Sequence, residues 1–383
     1  MRIVLYNVTT GFKSGGIETD NWEKGQALWK LGHDVILVTG AGDRCKFNDL
    51  PLIRVPFRDR SDCIDFRWLN TKIGSTLRKY LERRSFAANA IETVMRLEPD
   101  CIVIFKPYDF GFMAKLKRAN PNLTVVFRSG GKDFFYTDRL TKRFVDVWIS
   151  CSEYNRRQIE ARYGRDVTVI PHGVNTEVFR PAPSSDELRR KIGADDESLL
   201  VGGIGRLVKW KGYQMVIQAL SRLEGVELML IGAGGFRGGL EEMSRALGID
   251  DRVHFLGEID NYRVPQYLAQ CDLYVHPSIG QEAFGITLLE AMACGIPVVA
   301  SDKGAIPDVV GDGTGIIVEA RNVEAWIDAI EQLRRNTTER LAMGRAGRAR
   351  VLEHFSWERN AQAFLTAIEK ARSARAGRLN GTA

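Results

Sequence analysis

The sequence contains no uninterrupted apolar run of about 18 residues, so nothing in it reads as a membrane span. Its first residues, Met1-Arg2-Ile3-Val4-Leu5-Tyr6-Asn7, are too few for a signal-peptide core and close on turn residues. They read instead as a first buried strand, and the expectation is a cytoplasmic protein. Cysteine is scarce: Cys45, Cys63, Cys101, Cys151, Cys271 and Cys294 are scattered, with no C-x-x-C pair and no histidine at metal-ligand spacing. That excludes a disulfide scaffold and fits reduced, mostly buried thiols. No solenoid repeat, no G-x-x-x-x-G-K-[ST] phosphate loop and no recognised nucleic-acid module is present, so no nucleic acid is expected as a partner.

What is present is an ordinary globular composition on a long chain. At 383 residues, 44% hydrophobic and 27% charged, it is long enough for two domains that each bury a core. Charge is uneven: residues 1–183 hold 30 Lys and Arg against 21 Asp and Glu, a net of +9, whereas the remainder nets −3. A basic half beside a mildly acidic one suggests an anionic partner docking on the first domain.

Short β-branched runs alternate with helical periodicity throughout. In the first half Ile3–Tyr6, Asp34–Thr39, Cys101–Phe105, Thr124–Phe127 and Val145–Ser150 read as strands, separated by helices over Asn21–Leu31, Thr71–Glu98 and Tyr154–Tyr163. The pattern restarts with strands at Leu200–Gly205, Glu227–Ile231, Arg252–Leu256, Leu273–His276, Pro297–Ser301 and Gly315–Val318. Near-continuous apolar strands alternating with helices mean parallel sheets covered on both faces, hence two doubly wound α/β domains. Ligands of such sheets bind beyond the carboxyl ends of the strands, so two facing domains would make a central cleft. The segment from Pro171 to Pro183 breaks both periodicities and reads as the linker.

The densest chemistry lies at Pro277–Met292, where a buried strand ends, a loop follows and a helix opens near Phe284. A helix start leaves amide N–H groups unpaired and suits a phosphate. Gly285 admits close approach of a ligand and Thr287 adds a hydroxyl donor. Glu282 and Glu290, eight residues apart, bracket that site with acceptors for the hydroxyls of a sugar and a ribose; in isolation each would read as a solvated helix charge. A second cluster, Gly202–Gly212, again joins strand to helix. There Arg206 and Lys211 read equally well as a clamp on a diphosphate or as a solvated basic turn. Gly15-Gly16 after the first strand could present backbone to a ligand or simply form a tight turn, and Gly232–Gly235 reads as structural.

Several of these segments, in this order, resemble the retaining nucleotide-sugar glycosyltransferases of family four (glycosyl transferases group 1), which have the GT-B fold. The resemblance rests on R-x4-K at Arg206 and Lys211, E-x7-E at Glu282 and Glu290, and Glu290-Ala291-Met292-Ala293-Cys294-Gly295-Ile296-Pro297. The early Gly-Gly turn, Pro171-His172-Gly173-Val174-Asn175 and Phe355-Ser356-Trp357 also match. It covers nearly the whole chain. It implies two Rossmann-like domains, an acceptor-binding one over 1–178 and a donor-binding one over 185–357. A final helix, about 360–373, would cross back to the first.

The resemblance also implies roles. Arg206 and Lys211 would hold the donor pyrophosphate, Glu282 the hydroxyls of the transferred sugar and Glu290 the ribose. Amides of Phe284, Gly285 and Ile286 would meet sugar or phosphates, Gly16 would close over the diphosphate, and Gly257 and Ile259 would line the base pocket. No cofactor and no metal is expected, since the cations and the helix end stabilise the departing UDP, GDP or ADP. One position departs from the pattern. Arg128 stands where the family usually has a histidine, and an arginine is no general base at neutral pH; it is left to bind sugar hydroxyls or the leaving phosphate. Asp133 is the nearest carboxylate that could orient the acceptor.

The expected reaction is therefore transfer of a sugar to an acceptor hydroxyl with retention. It would serve bacterial envelope glycans: lipopolysaccharide, exopolysaccharide or glycolipid. The same scaffold also admits an epimerase, a phosphorylase, or a nucleotide-sugar-binding module that has lost catalysis. Finally, Arg54–Phe86 interleaves nine basic residues with Phe57, Phe66, Trp68, Tyr80 and Phe86, and 115–118 and 139–143 extend the positive balance. This reads either as a solvated helix or as a surface for anionic lipid, which would place a lipid-linked acceptor at the inner face of the plasma membrane.

Overall fold

The computed structural model describes the chain apart from residues 14, 43–48, 63–71, 132–133, 196 and 381–383, and describes only the backbone at 72–73 and 378–380. The chain forms two compact units, one of residues 1–172 with 357–383 and the other of residues 173–356.

Unit 1 is built on seven parallel strands: β1 (Arg2–Tyr6), β2 (Asp34–Gly40), β3 (Leu52–Val55), β4 (Cys101–Ile104), β5 (Thr124–Ser129), β6 (Val147–Ser150) and β7 (Thr168–Val169). Their order is β3-β2-β1-β4-β5-β6-β7. Helices α1 (Gly16–Lys30), α2 (Lys72–Arg96), α3 (Met113–Ala119), α4 (Asp138–Thr141) and α5 (Glu153–Tyr163) connect them. Alternation along each strand sorts the core into two layers. Val4, Tyr6, Ile102, Ile104, Val125 and Phe127 pack with Phe86, Ala90 and Val94 of α2 and Ile159 of α5. Ile3, Leu5, Val35, Val103 and Val126 pack on the other face with Trp22 and Leu28 of α1.

Unit 2 repeats the design with β8 (Leu199–Ile204), β9 (Val226–Ile231), β10 (Val253–Gly257), β11 (Leu273–His276), β12 (Val298–Ser301) and β13 (Gly315–Val318), all parallel. The order is β10-β9-β8-β11-β12-β13. Its helices are α6 (Asp186–Ile192), α7 (Tyr213–Leu220), α8 (Arg237–Ala246), α9 (Val264–Leu268), α10 (Ile286–Ala293), α11 (Ile306–Val310), α12 (Val323–Arg335) and α13 (Thr337–His354). Trp326, Ile330 and Leu333 of α12 and Val216 and Leu220 of α7 cover one face through Val201, Leu228, Leu230 and Val275.

The last helix, α14 (Trp357–Asn380), belongs to unit 1, where Ala361, Phe364 and Ile368 join Ile3, Trp22 and Leu28 in one core layer. It starts earlier than the sequence periodicity suggests, because Trp357 is buried in that layer. Both sheets are thus parallel and doubly wound, as the strand pattern implies. β3 and β7 go unread in the sequence because β3 carries Arg54 in its middle and β7 has two residues.

The basic stretch is more mixed than its sequence suggests. Phe86 is fully buried, and Arg83 is buried against Asp109 (2.5 Å) and the Asn7 side chain (3.2 Å). Arg60 makes a two-pronged contact with buried Glu82 at 3.0 and 2.7 Å. Arg54, Arg58 and Arg84 are exposed, whereas Phe66, Arg67 and Trp68 lie outside the described residues.

Candidate functional site

In unit 2 the chain runs outward from β8 through β9 to β10, then returns to the middle and continues through β11, β12 and β13. β8 and β11 are therefore neighbours whose following loops diverge, and a crevice opens at their carboxyl ends. Both sequence clusters leave from these two strands.

The two loops meet at a contact that only glycine permits. Gly212 has φ +80°, and a Cβ there would lie 1.8 Å from the Pro277 carbonyl oxygen. The contact lets the Trp210 carbonyl accept hydrogen bonds from the amides of Ile279 (2.9 Å) and Gly280 (3.1 Å). The same loop is tied to the end of β12: Ser301 Oγ donates to the Ser278 carbonyl (2.7 Å) and the Ala305 amide to the Glu282 carbonyl (3.0 Å). α10 then opens at Ile286 after Gly285, whose φ of +107° reverses the chain. The Leu288 amide turns back to the Gly285 carbonyl (3.0 Å), and the Ile286 and Thr287 amides before it have no carbonyl within the helix to bond.

Into this frame project the charged side chains. Lys211 Nζ donates to Glu282 Oε1 at 2.5 Å, Ser278 Oγ donates to the same oxygen at 2.8 Å, and His276 Nε2 lies 3.4 Å from it. Burial pushes the Glu282 carboxyl up, but His276 and Lys211 outweigh it and hold the group well below the usual carboxylate range. Burial lowers the His276 imidazole as well. Glu282 is accordingly a fixed, ionised acceptor. Arg206 is exposed, with its guanidinium 5.9 Å from the Trp210 ring, and Lys211 lies 5.0 Å from the same ring. Thr287 Oγ1 is 3.0 Å from the Tyr274 hydroxyl. Glu290, one turn further along α10, is buried, and burial with Glu290 nearby pushes the Cys294 thiol up to about 12. Phe284 turns its ring inward against Phe355 (6.0 Å). Gly257, at φ +72°, ends β10, and its carbonyl accepts from the Gly232 amide at 2.7 Å. Two strand spacings separate it from β8, about 10 Å along the same edge, with half-buried Ile259 just beyond.

Unit 1 contains the other predicted residues. Gly16 is the first residue of α1. Arg128 lies in β5 and is 1% exposed, so it faces no solvent. Its Nη2 is 3.3 Å from Asp20 Oδ1 and 3.2 Å from His172 Nδ1; its Nε and Nη1 have no hydrogen-bond partner among the described residues. Asp20 Oδ1 also meets His172 Nδ1 at 2.7 Å, and its Oδ2 accepts from Lys24 Nζ at 2.7 Å. The expectation that Arg128 meets a ligand thus finds the side chain committed to a buried cluster. Burial raises the Asp20 carboxyl, yet Lys24, Arg128 and His172 together hold it well below the usual range. Burial lowers Lys24 to about 8 and His172 to about 4. Asp133 lies outside the described residues.

Sequence reasoning missed Asp20, Lys24, Ser278 and the proximity of His276 to Glu282. The i,i+4 spacing of Asp20 and Lys24 was the available signal, but it fits an exposed helix face equally well.

Residues 184–350 match the family model described as glycosyl transferases group 1, and residues 14–178 match that of glycosyltransferase family 4. A GDP-mannose-dependent monoacylated alpha-(1-6)-phosphatidylinositol monomannoside mannosyltransferase of Corynebacterium glutamicum is 32% identical over 228 residues, 56% of this chain and 59% of that protein. A GDP-mannose-dependent alpha-(1-6)-phosphatidylinositol monomannoside mannosyltransferase of Mycolicibacterium smegmatis is 32% identical over 244 residues, 60% of this chain and 64% of that protein. The match therefore spans less than two thirds of these relatives. Among solved structures, HepE of Anabaena in complex with UDP and glucose superposes with TM-score 0.80 at 22% identity, covering 97% of this chain and 100% of that one. WaaG, a glycosyltransferase involved in lipopolysaccharide biosynthesis, superposes with TM-score 0.71 at 19% identity, covering 94% and 98%. These likenesses establish the GT-B fold.

Two outcomes follow from the geometry. Gly212→Ala forces the two loops apart and should cost about 2 kcal/mol or more, read as a shift in the urea midpoint of the unfolding transition of unit 2. Asp20→Ala strands Lys24 and Arg128 in the interior and should cost about 3–5 kcal/mol. His172 is neutral in the folded chain down to about pH 4 but takes a proton near 6.5 once unfolded. Its contribution to stability is therefore lost as pH falls from about 6.5 to 4, and His172→Gln should flatten the stability profile across that window.

Proposed function

Because the chain belongs to the family 4 glycosyltransferases of glycosyl transferases group 1, we propose that it is a retaining, metal-independent hexosyltransferase. It would move a sugar from a nucleotide diphosphate sugar to an acceptor hydroxyl. The observation that carries this reading is the Lys211–Glu282 pair beside the opening of α10, at the crevice between β8 and β11.

Each group has a task there. The first-turn amides of α10 at Gly285 and Ile286, with Phe284 just before them, face an anion, and the positive end of the helix dipole favours it. Arg206 is the exposed cation that can close on the diphosphate as a fork, and Lys211 shares its ammonium between Glu282 and the same phosphates. Glu282, held ionised, accepts hydrogen bonds from the hydroxyls of the transferred sugar. Glu290 takes the ribose hydroxyls, Thr287 adds a hydroxyl donor, and Gly257 and Ile259 border the base.

In the transfer, the bond from the anomeric carbon to the diphosphate oxygen breaks as the bond to the acceptor oxygen forms on the same face. The acceptor's hydroxyl proton passes to an oxygen of the departing diphosphate. The charge that develops on the leaving group is met by Arg206, Lys211 and the helix end, the stabilisation that a divalent ion would otherwise supply.

The donor and acceptor are proposed from the relatives. GDP-mannose is the first donor to test, and a lipid-linked glycan of the cell envelope is the acceptor, with UDP-glucose as the competing donor. A second reading, a nucleotide-sugar-binding module without turnover, is favoured by the arginine at 128 and its burial. Incubation with labelled GDP-mannose or UDP-glucose and lipid-linked acceptors separates the two: released nucleotide with an axially linked product supports transfer, and binding without release supports the module.

The donor assignment predicts that GDP at about 100-fold over its Kd stabilises the fold by about 2.7 kcal/mol in a thermal-shift measurement. Glu290→Ala should raise the donor KM with a smaller change in kcat. Lys211→Ala should lower kcat by about 10²–10³. Wild-type kinetics in both variants would contradict the assignment.

A further inference from the structure

The two most exposed large apolar side chains among the described residues, Leu140 (76%) and Tyr136 (75%), lie four residues apart in unit 1. Leu140 stands on the short helix α4, whose Leu140 and Thr141 amides donate to the Thr137 carbonyl at 3.1 and 3.2 Å, and Tyr136 stands on the turn that leads into it.

This is a rigid projection. Asp138, fully buried between them, accepts from the Phe135 amide (2.9 Å), from Arg162 Nη2 (2.7 Å) and from the Tyr163 hydroxyl (2.8 Å). Arg162 Nη2 also donates to the Phe135 carbonyl at 3.0 Å, and Lys142 Nζ to the Tyr163 carbonyl at 2.5 Å. The Phe135 ring, at the root of the projection, lies 5.0 Å from Tyr80 and 4.7 Å from Tyr108. A turn fastened by this many hydrogen bonds, that of the Tyr163 hydroxyl to Asp138 fully buried, holds Tyr136 and Leu140 in water at a solvation cost.

Its surroundings are cationic. Arg139 and Arg143 are exposed on the same turn, and α3, which packs against residues 142–144, adds exposed Lys115 and Arg118. Exposed Asp146, which follows this turn, is paired with Lys117. Two apolar tips ringed by cations match an acyl boundary beneath anionic headgroups, and they do not match a glycan, whose hydroxyls a leucine cannot bond.

We propose that the turn Tyr136–Arg143 is a wedge that docks unit 1 on an anionic phospholipid surface, with Tyr136 and Leu140 entering the headgroup layer and Arg139 and Arg143 pairing with lipid phosphates. The wedge shares no residue with the Lys211–Glu282 site of unit 2, so vesicle sedimentation and donor binding are read separately.

Sedimentation of the full chain with phosphatidylcholine vesicles, with and without phosphatidylglycerol, tests it. Wild type should partition onto the phosphatidylglycerol vesicles. The double variant Tyr136→Ser with Leu140→Ser should lose about tenfold or more at an unchanged melting temperature. Arg139→Gln with Arg143→Gln should lose about fivefold per residue, and salt should mimic that loss but not the apolar one. Wild-type sedimentation by both double variants overturns the proposal. So does loss of a dimer in sedimentation velocity with vesicle binding intact, or a raised KM for a water-soluble acceptor glycan without a change in partition.

Discussion

The close approach of Gly212 to the Pro277 carbonyl is the contact on which the edge of unit 2 depends. Four hydrogen bonds fasten the loop after β11: two to Trp210, one from Ser301 and one from Ala305. At about 1 kcal/mol each they are comparable to a single loop-closure cost. A side-chain carbon 1.8 Å from a carbonyl oxygen would be repelled far more strongly than those bonds attract, so sterics decide whether the loops meet at all. Once they do, the rest follows from geometry: Lys211 comes within 2.5 Å of Glu282, and α10 begins one short turn later.

The two units place buried charge in different ways. In unit 2, Glu282 and Lys211 are mostly but not wholly buried, at 12% and 14% side-chain exposure, so both retain a solvent-facing side. In unit 1, Asp20, Lys24 and Arg128 are each at 1%. Charges so deep are worth keeping only if every partner stays, since losing one leaves the others uncompensated. That cluster joins α1, β5 and His172, where the first stretch of unit 1 ends, fixing three separate chain segments to one another.

What the sequence makes legible are the features with a long or repeated signature. Apolar strands such as Val4–Tyr6 and Cys101–Ile104 need no context, and strand-loop-helix at Pro277–Met292 announces an anion-seeking helix end. What stays hidden depends on distant pairing. Lys211 and Glu282 stand 71 positions apart, and no local pattern tells that the expected phosphate-binding lysine rests on the expected sugar-binding glutamate. Arg83 and Phe86 sit in a stretch whose composition suggests a surface, yet Asp109, 26 positions away, draws the arginine inward. The inward face of α1 is polar at Asp20, Asn21 and Lys24, which cancels the amphipathic contrast that would otherwise mark the helix as packed.

Arg128 shows how a local departure is resolved by the fold. The family resemblance leads one to look for an imidazole at the end of β5 and finds a guanidinium. The structure nevertheless brings an imidazole there: His172, 44 positions on, lies 3.2 Å from Arg128 and shares Asp20 with it. Burial, with the positive charges of Arg128 and Lys24, lowers that ring to about 4 against the pull of Asp20. A base this weak takes little of an alcohol's proton at neutral pH. The cluster is thus poorly suited to acid–base work although it holds the right kind of ring. The transfer we propose, in which the departing diphosphate itself accepts the proton, asks nothing of this cluster beyond holding α1 and β5 in place.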